Sequence, residues 1–496
     1  MRRRARYPAA VERYELCVLG AGPAGIAGAI RASDLGRRVA LIDGGPLGGA
    51  GVFDGALSSK TLWHLASDFA RARRSDRGYD GRALTVAWQE VRAEVAAACG
   101  EAQALLALQL GALAHPAPGR GTVERIEGRG RFVDPDTIEV TGGRRITAER
   151  FLIAVGSRPR VPPGIVVDGV RIVTSDHIEH VDVLPRRLAI IGAGVVGCEY
   201  ATAFAMLGQT EVEIFDRQAR VLPFEDEDVA AVVAGRFAEI GVRVHRKAKI
   251  ERVVVIGDEV VVDWLDEAGA PQQHRYDRVL VATGRGASSA DLGLEAAGVE
   301  VEPGGGIKAD GTRTSSPRVW AAGDVTPDLM LANLAELEAR HAVEDMEGLD
   351  PPAIVHEAQS AIYFLSPEVA AVGLNEQMAR AKGIHYRAAI VSNALNRRNL
   401  AMRSTTGFVK LLARHDGRLL GLRVVGPQAG TCIQGVALLI GQGGTLDAVE
   451  RCVHPHPAVT EGVLEAARLL LGSSLFKPDA MGGRCRIIDS HVRPGA

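Results

Sequence analysis

Two glycine-rich turns constrain this chain more than any other feature. "GAGPAGIAGAIRASDLG" begins at Gly20, and "GAGVVGCEYATAFAMLGQ" begins at Gly192, 172 residues later. Each follows a short apolar run ("YELCVL", "LAII") and precedes another ("RRVALID", "EVEIFD"). Strand, glycine turn, Ala-rich helix and strand in that order make a βαβ unit. Its return at so long a spacing marks duplication of a whole domain. Gly20 permits the tight turn, Gly22 lets the backbone approach a pyrophosphate, and Gly25 lets helix and strand pack closely. Gly192, Gly194 and Gly197 repeat the set. The amides and dipole of a helix N-terminus favour the anion. Asp43 and Asp216 end the second strand of each unit, 23 and 24 residues beyond the first glycine, where a carboxylate meets ribose hydroxyls. An acid there repels a 2′-phosphate, so NAD(H) is expected over NADP(H). Arg217 and Arg220 lie close by, either softening that preference or standing as solvated charges.

With 496 residues and 47% apolar content, the chain is too long for one core and is expected to form two to four domains. A net charge of −2 argues against nucleic acid or an anionic membrane as partner. The basic "MRRRAR" reads as a frayed terminus. No apolar run of spanning length and no signal-peptide core stand out, so no membrane insertion is expected. Cysteines 17, 99, 198, 432, 452 and 485 lack metal or redox spacing. Neither a metal site nor a disulfide framework is expected, and a cytoplasmic setting fits best.

Ala83 to Leu113 is Ala/Leu-rich with helical spacing, and "GRGRFVDPDTIEV" looks like strand and turn. From Pro351 the pattern changes to alternating strands followed by helices. The tail after Leu475 is Gly/Arg/Pro-rich and is expected to be loosely held.

"GAGPAG", "SSKTL", "GRGRFVD", "AVGSRP", "GAGVVGCE", "ATGR", "AAGDV" and "HPAVTE" occur in order from Tyr14 to Leu471. In these the chain resembles the class I pyridine nucleotide-disulfide oxidoreductases, which include dihydrolipoamide dehydrogenase and soluble pyridine nucleotide transhydrogenase. The resemblance implies an α/β protein: two Rossmann-like dinucleotide-binding domains, for FAD and NAD(P), plus a C-terminal α+β dimerisation domain. It divides the chain into an FAD-binding domain (1–158 and 287–350), an NAD(P)-binding domain (159–286), a dimerisation domain (351–475) and a tail (476–496). It implies FAD with Asp324 near the ribitol, Ala332 close to the flavin and Gly128 near the adenosine end. "ATGR", including Gly284, would line the nicotinamide nucleotide. Lys60 would sit near flavin N5, paired with Glu199. His456 and Glu461 would form the proton-handling dyad of a homodimer whose sites borrow residues from the partner or, equally, a structural hydrogen bond at the dimer interface.

The family's disulfide reductases carry CxxxxC beside the flavin. Aligned without gaps, those places are Gly51 and Ala56. A relay through an enzyme disulfide cannot run on them. Cys485 sits on the tail and reads as a spectator, Cys198 as packing. Asp54 reads either as facing the flavin or, better, as a solvated loop acid, and Trp63 as core rather than a stacking platform; His64 lies on the same altered helix, and His454 has no matched role. The expectation is an NAD(P)H oxidoreductase without a thiol relay. It would pass hydride through flavin to a second pyridine nucleotide or, close behind, to a quinone-type small-molecule acceptor. Asp216 counts against the former, which must accept both NAD and NADP. The reading from another class is a silent flavoprotein that binds or senses.

Overall fold

Three large sheets and two smaller ones organise residues 12–491, the part of the chain that the computed structural model describes. The basic start "MRRRAR" lies outside it. In the first sheet, Val319–Ala321, Arg144–Ile153, Glu12–Leu19, Arg38–Asp43 and Thr122–Glu127 lie side by side and run parallel. Leu16 to Leu19 and Phe151 to Ile153 are buried, as near-continuous apolar runs are when helices cover both faces. The helices Pro23–Asp34 and Ala332–Met346 pack on one face through Ala29, Ala339 and Ala342.

The second sheet repeats the plan in smaller form. Arg243–His245, Glu211–Phe215, Arg187–Ile191, Arg278–Val281 and Ile172–Val173 are again all parallel. A three-stranded antiparallel sheet, Lys249–Ile256, Glu259–Leu265 and Pro271–Tyr276, adjoins it. The chain passes between the two units through Ser157–Pro159 and Arg285–Ala287, which pair with each other antiparallel.

The third sheet has six antiparallel strands, in the order Ser360–Tyr363, Val369–Gly373, Leu419–Val425, Phe408–Ala413, Arg387–Ser392, Cys485–Asp489. Its last strand corrects the expectation of a loose tail. Cys485 pairs with Val391 and is 1% exposed, so it is a core residue of a sheet edge and not a thiol on a flexible arm. The glycines and arginines around "CRIID" hid a short strand that an existing edge could accept.

A second correction concerns Trp88–Leu113. This 26-residue helix is long and apolar enough, by length and composition, to cross a membrane. It packs on Ala56–Ala72 and buries Val95, Cys99, Leu110 and Leu113. Its many alanines make it apolar on average without an unbroken run of large side chains.

Candidate functional site

Both glycine turns close as their spacing predicts. Gly20 and Gly192 have φ of 101° and 114°, the left-handed region that favours glycine. A Cβ on either would strike the carbonyl of Ala154 or Ala282, at the end of the neighbouring strand. A Cβ on Gly25 or Gly197 would strike the carbonyl of Gly20 or Gly192. Gly22 and Gly194 cap their helices and leave open space beyond them, which is what an incoming pyrophosphate needs. Asp216 Oδ2 accepts the Ala193 amide at 2.6 Å, and Oδ1 accepts that of Gln218 at 2.7 Å. Burial lifts the Asp43 carboxyl above its ordinary range, against the pull of the Ala21, Gly45 and Gly44 amides. The Gly128 amide donates to the Asp43 carbonyl at 2.9 Å, fixing the segment beside it.

A cavity of about 500 Å3 begins at the first turn. Gly20, Gly22, Asp43, Lys60, Glu199, Asp324 and Ala332 all line it. Ala332 opens the helix Ala332–Met346, so that helix's N-terminus faces the cavity. The lining offers the polar groups that FAD needs: backbone amides that can donate to a pyrophosphate, and the Asp43 and Asp324 carboxylates that can accept from hydroxyl groups. Val195, Val196 and Arg285 bring the second domain to the same cavity. Gly194, Asp216 and Gly284 belong to that domain's own turn and strand ends and do not line it.

Lys60 lies in the second turn of the helix Ala56–Ala72. Its Nζ meets Glu199 Oε2 at 2.8 Å and stands 5.2 Å from the Phe364 ring centre. Glu199 Oε1 accepts the Phe364 amide at 2.9 Å. One carboxylate thus joins all three domains, which the sequence did not reveal. Ser157, Asp324 and Arg285 form a further unforeseen chain: the Ser157 hydroxyl donates to Asp324 at 2.6 Å and accepts from Arg285 Nε at 2.7 Å. The motifs "AVGSRP", "AAGDV" and "ATGR" each hold one member, a signal visible only after the fold is known.

Gly51, on the loop before the helix of Lys60, and Ala56, the first residue of that helix, both border the cavity. A Cβ on Gly51 would lie 2.5 Å from Pro23 Cγ, so the loop rests against the first nucleotide helix. None of the six cysteines borders the cavity. Cys452 is the exposed one among them, and burial pushes the Cys17, Cys198 and Cys432 thiols up. Asp54 departs from its reading as a solvated acid: its Oδ1 meets His180 Nε2 at 2.6 Å. Their separation of 126 residues explains why the pair was not anticipated. Trp63 is buried, with Nε1 donating to the Leu365 carbonyl at 3.2 Å.

His456 Nδ1 meets Glu461 Oε1 at 2.7 Å, and Glu461 Oε2 accepts the Ala458 amide at 2.9 Å. Burial raises the Glu461 carboxyl, but these bonds outweigh it and hold the group below its ordinary range. The dyad therefore forms within one chain, yet it lies outside the cavity wall, with His456 half exposed. Burial pushes the His454 imidazole down.

Residues 14–339 match the family described as pyridine nucleotide-disulphide oxidoreductase, and residues 359–467 match its dimerisation domain. Dihydrolipoyl dehydrogenase of Geobacillus stearothermophilus is 33% identical over 467 residues, covering 93% of this chain and 97% of that one. Dihydrolipoyl dehydrogenase 3 of Haloarcula marismortui is 32% identical, covering 92% and 96%. Among solved structures, LpdA from Mycobacterium tuberculosis superposes with a TM-score of 0.83 at 29% identity, covering 93% of this chain and all of that one. The flavoprotein disulfide reductase RclA from Escherichia coli shares the fold, with a TM-score of 0.80 at 24% identity over 92% of this chain and all of that one.

Proposed function

Because the chain belongs to the class I pyridine nucleotide-disulphide oxidoreductase family, we propose that it is an FAD-dependent NAD(P)H oxidoreductase that works without a thiol relay. Its electrons leave directly for a small molecule. The observation that carries this reading is the cavity wall beside Lys60, where Gly51 and Ala56 stand and no cysteine does. Bound FAD supplies the hydride-accepting and hydride-donating ring. Gly20, Gly22 and the helix N-terminus behind them hold its pyrophosphate, Asp43 its ribose and Asp324 its ribitol. Lys60 places a cation beside the ring and Glu199 fixes that cation in position. A fixed ammonium favours electron density close to it. The second turn, with Gly192, Gly194, Gly197, Asp216 and Gly284, holds the nicotinamide nucleotide.

A quinone-type acceptor fits better than a second nucleotide. Asp216 is set where a 2′-phosphate would need a cation. Of the two arginines close by, Arg220 donates to the Pro223 and Glu225 carbonyls and to Gln377, while Arg217 stands exposed directly after Asp216. NADH is therefore the preferred donor, and a site that must also accept NADP is disfavoured. The C-terminal domain makes a homodimer in which the His456–Glu461 pair of one subunit completes the other's site. There a carboxylate-held imidazole can protonate a reduced acceptor.

A steady-state screen of menadione, thio-NAD and dihydrolipoamide with NADH and NADPH tests the reading. Menadione reduction with NADH ahead of NADPH is expected. Thio-NAD reduction faster than menadione reduction would move the acceptor to a second nucleotide. Turnover of dihydrolipoamide at an enzyme's ordinary rates would overturn the proposal, and failure of NADH to bleach the flavin would leave a silent binding subunit.

A further inference from the structure

Among the described residues, four carboxylates line the large cavity: Asp43, Asp54, Glu199 and Asp324. Three of them are held by fixed donors. Asp43 Oδ2 accepts the Gly45 amide at 3.2 Å, Glu199 accepts from Lys60 and from the Phe364 amide, and Asp324 accepts the Ser157 hydroxyl. Asp54 differs. Its Oδ1 meets His180 Nε2 at 2.6 Å, and an imidazole takes up and releases a proton near neutral pH. A second cavity, of about 330 Å3, lies behind the loop, and His180 lines it. Asp54 is the one described residue that lines both cavities. The His180 side chain is 63% exposed and that of Asp54 32%. Solvent, imidazole, carboxylate and large cavity therefore follow one another in that order.

The loop holds Asp54 in a strained conformation. Its φ is 52°, the left-handed region that residues other than glycine seldom enter. Strain of this kind persists where surrounding bonds over-determine the backbone, and it clusters at functional sites. Here the Val52 and Phe53 amides both donate to the Gly49 carbonyl, at 3.0 and 2.9 Å, and the Gly55 amide donates to Ser58 Oγ at 3.1 Å. The other titratable groups around the pair already have partners. Glu179 is buried and accepts the Tyr200 hydroxyl at 2.7 Å, and Arg92 reaches Asp182 at 3.2 Å. Cys99 Sγ lies on the Val52 carbonyl at 3.2 Å, and Lys60, on the wall of the large cavity, is paired with Glu199.

We propose that Asp54 and His180 form a proton path from solvent to the acceptor in the large cavity, with Asp54 as the donor and His180 as the imidazole that reloads it. The path serves the quinone-type acceptor of the reading above, on which it rests, and gives that acceptor a proton source in the same chain, beside the His456–Glu461 pair. Reduction of a quinone by NADH takes one hydride and one further proton. NADH is oxidised to NAD+, both C=O groups become C–OH, and the further proton comes from water. It passes from the imidazolium N–H to the Asp54 carboxylate, and from that carboxyl to the acceptor oxygen. Asp54 ends as the carboxylate and His180 as the neutral imidazole, which water reprotonates.

The test is anaerobic stopped flow on the FAD-loaded protein, reduced with one equivalent of NADH and then mixed with menadione or with ferricyanide. Menadione takes up protons with its electrons, whereas ferricyanide takes electrons alone. Asp54→Asn and His180→Gln are each expected to lower the ratio of the menadione rate to the ferricyanide rate at least about tenfold, a modest share of what a general acid supplies. Each should also flatten the fall in the menadione rate as pH rises through about 6.5, with FAD absorbance per subunit maintained. An unchanged ratio in either variant, or an unchanged pH profile, would overturn the proposal. If menadione does not reoxidise the wild type, the quinone-type reading fails and the path with it; if it does and the variants match the wild type, the path alone fails. Should Asp54→Asn lose its FAD, His180→Gln, altered at an exposed side chain, decides alone.

Discussion

Glu199 spends both carboxylate oxygens on fixing the site, one on Lys60 and one on the Phe364 amide, and is itself buried. Replacing it with Gln keeps the shape and removes the counter-charge, leaving the Lys60 ammonium beside an aromatic ring. Phe364 does not compensate, because a cation–π contact at a partly exposed site is worth about 0.5–1 kcal/mol. Glu199→Gln should therefore lose about 1–3 kcal/mol of stability and slow flavin reduction by NADH. A urea midpoint and an anaerobic stopped-flow trace read the two effects separately. An unchanged reduction rate would reduce the pair to a structural role. Lys60 and Glu199 were legible because they stand in motifs. Phe364, His180 and Glu179 were not, because each becomes relevant only through a contact between segments far apart in sequence.

At the scale of elements, the duplicated βαβ units were legible almost entirely. Glycine chemistry at Gly20 and Gly192 leaves few alternatives, and the apolar runs beside them suit only a sheet covered on both faces. The strand Cys485–Asp489 was hidden because its pairing is supplied by Arg387–Ser392, nearly a hundred residues upstream in the chain. Glu213, inside the strand Glu211–Phe215, was also silent in the sequence. It is buried and bonded to Arg243 and, at 2.6 Å, to His245. Burial raises its carboxyl, but His245, Arg243 and Tyr276 outweigh this and bring it down to about 2, from an ordinary 4.5. A carboxyl depressed by folding stabilises fully above its unfolded pKa, and that contribution is lost as pH falls toward the folded value. The stability difference between the wild type and Glu213→Gln should thus be constant at neutral pH and shrink as pH falls from about 4.5 toward about 2. Guanidinium midpoints at a series of pH values read it. A difference independent of pH would mean that the ionised carboxylate contributes nothing.

The whole molecule holds its domains together with buried charge as well as apolar surface. Lys410, on the third sheet and fully buried, reaches Asp226 at 2.9 Å and Asp228 at 2.6 Å beside the second domain's helix Glu227–Glu239, and Glu376 at 2.7 Å. Arg423 meets Glu225 at 2.8 Å with both side chains buried. Such clusters add little net stability but penalise any docking that leaves a charge unpaired. Glu225 also accepts the Tyr363 hydroxyl at 2.9 Å, one residue before the Phe364 amide that meets Glu199. In that frame Gly51 and Ala56 stand where the resemblance leads us to expect the family's sulfurs, which is the premise of the proposed function. The most direct test is an anaerobic reductive titration of the FAD-loaded protein, counting electrons taken up per subunit. One electron pair, with the flavin fully bleached and no long-wavelength thiolate–flavin absorption, is the predicted result. Uptake of a second pair, with that absorption at the halfway point, would reveal a redox-active disulfide and contradict the account.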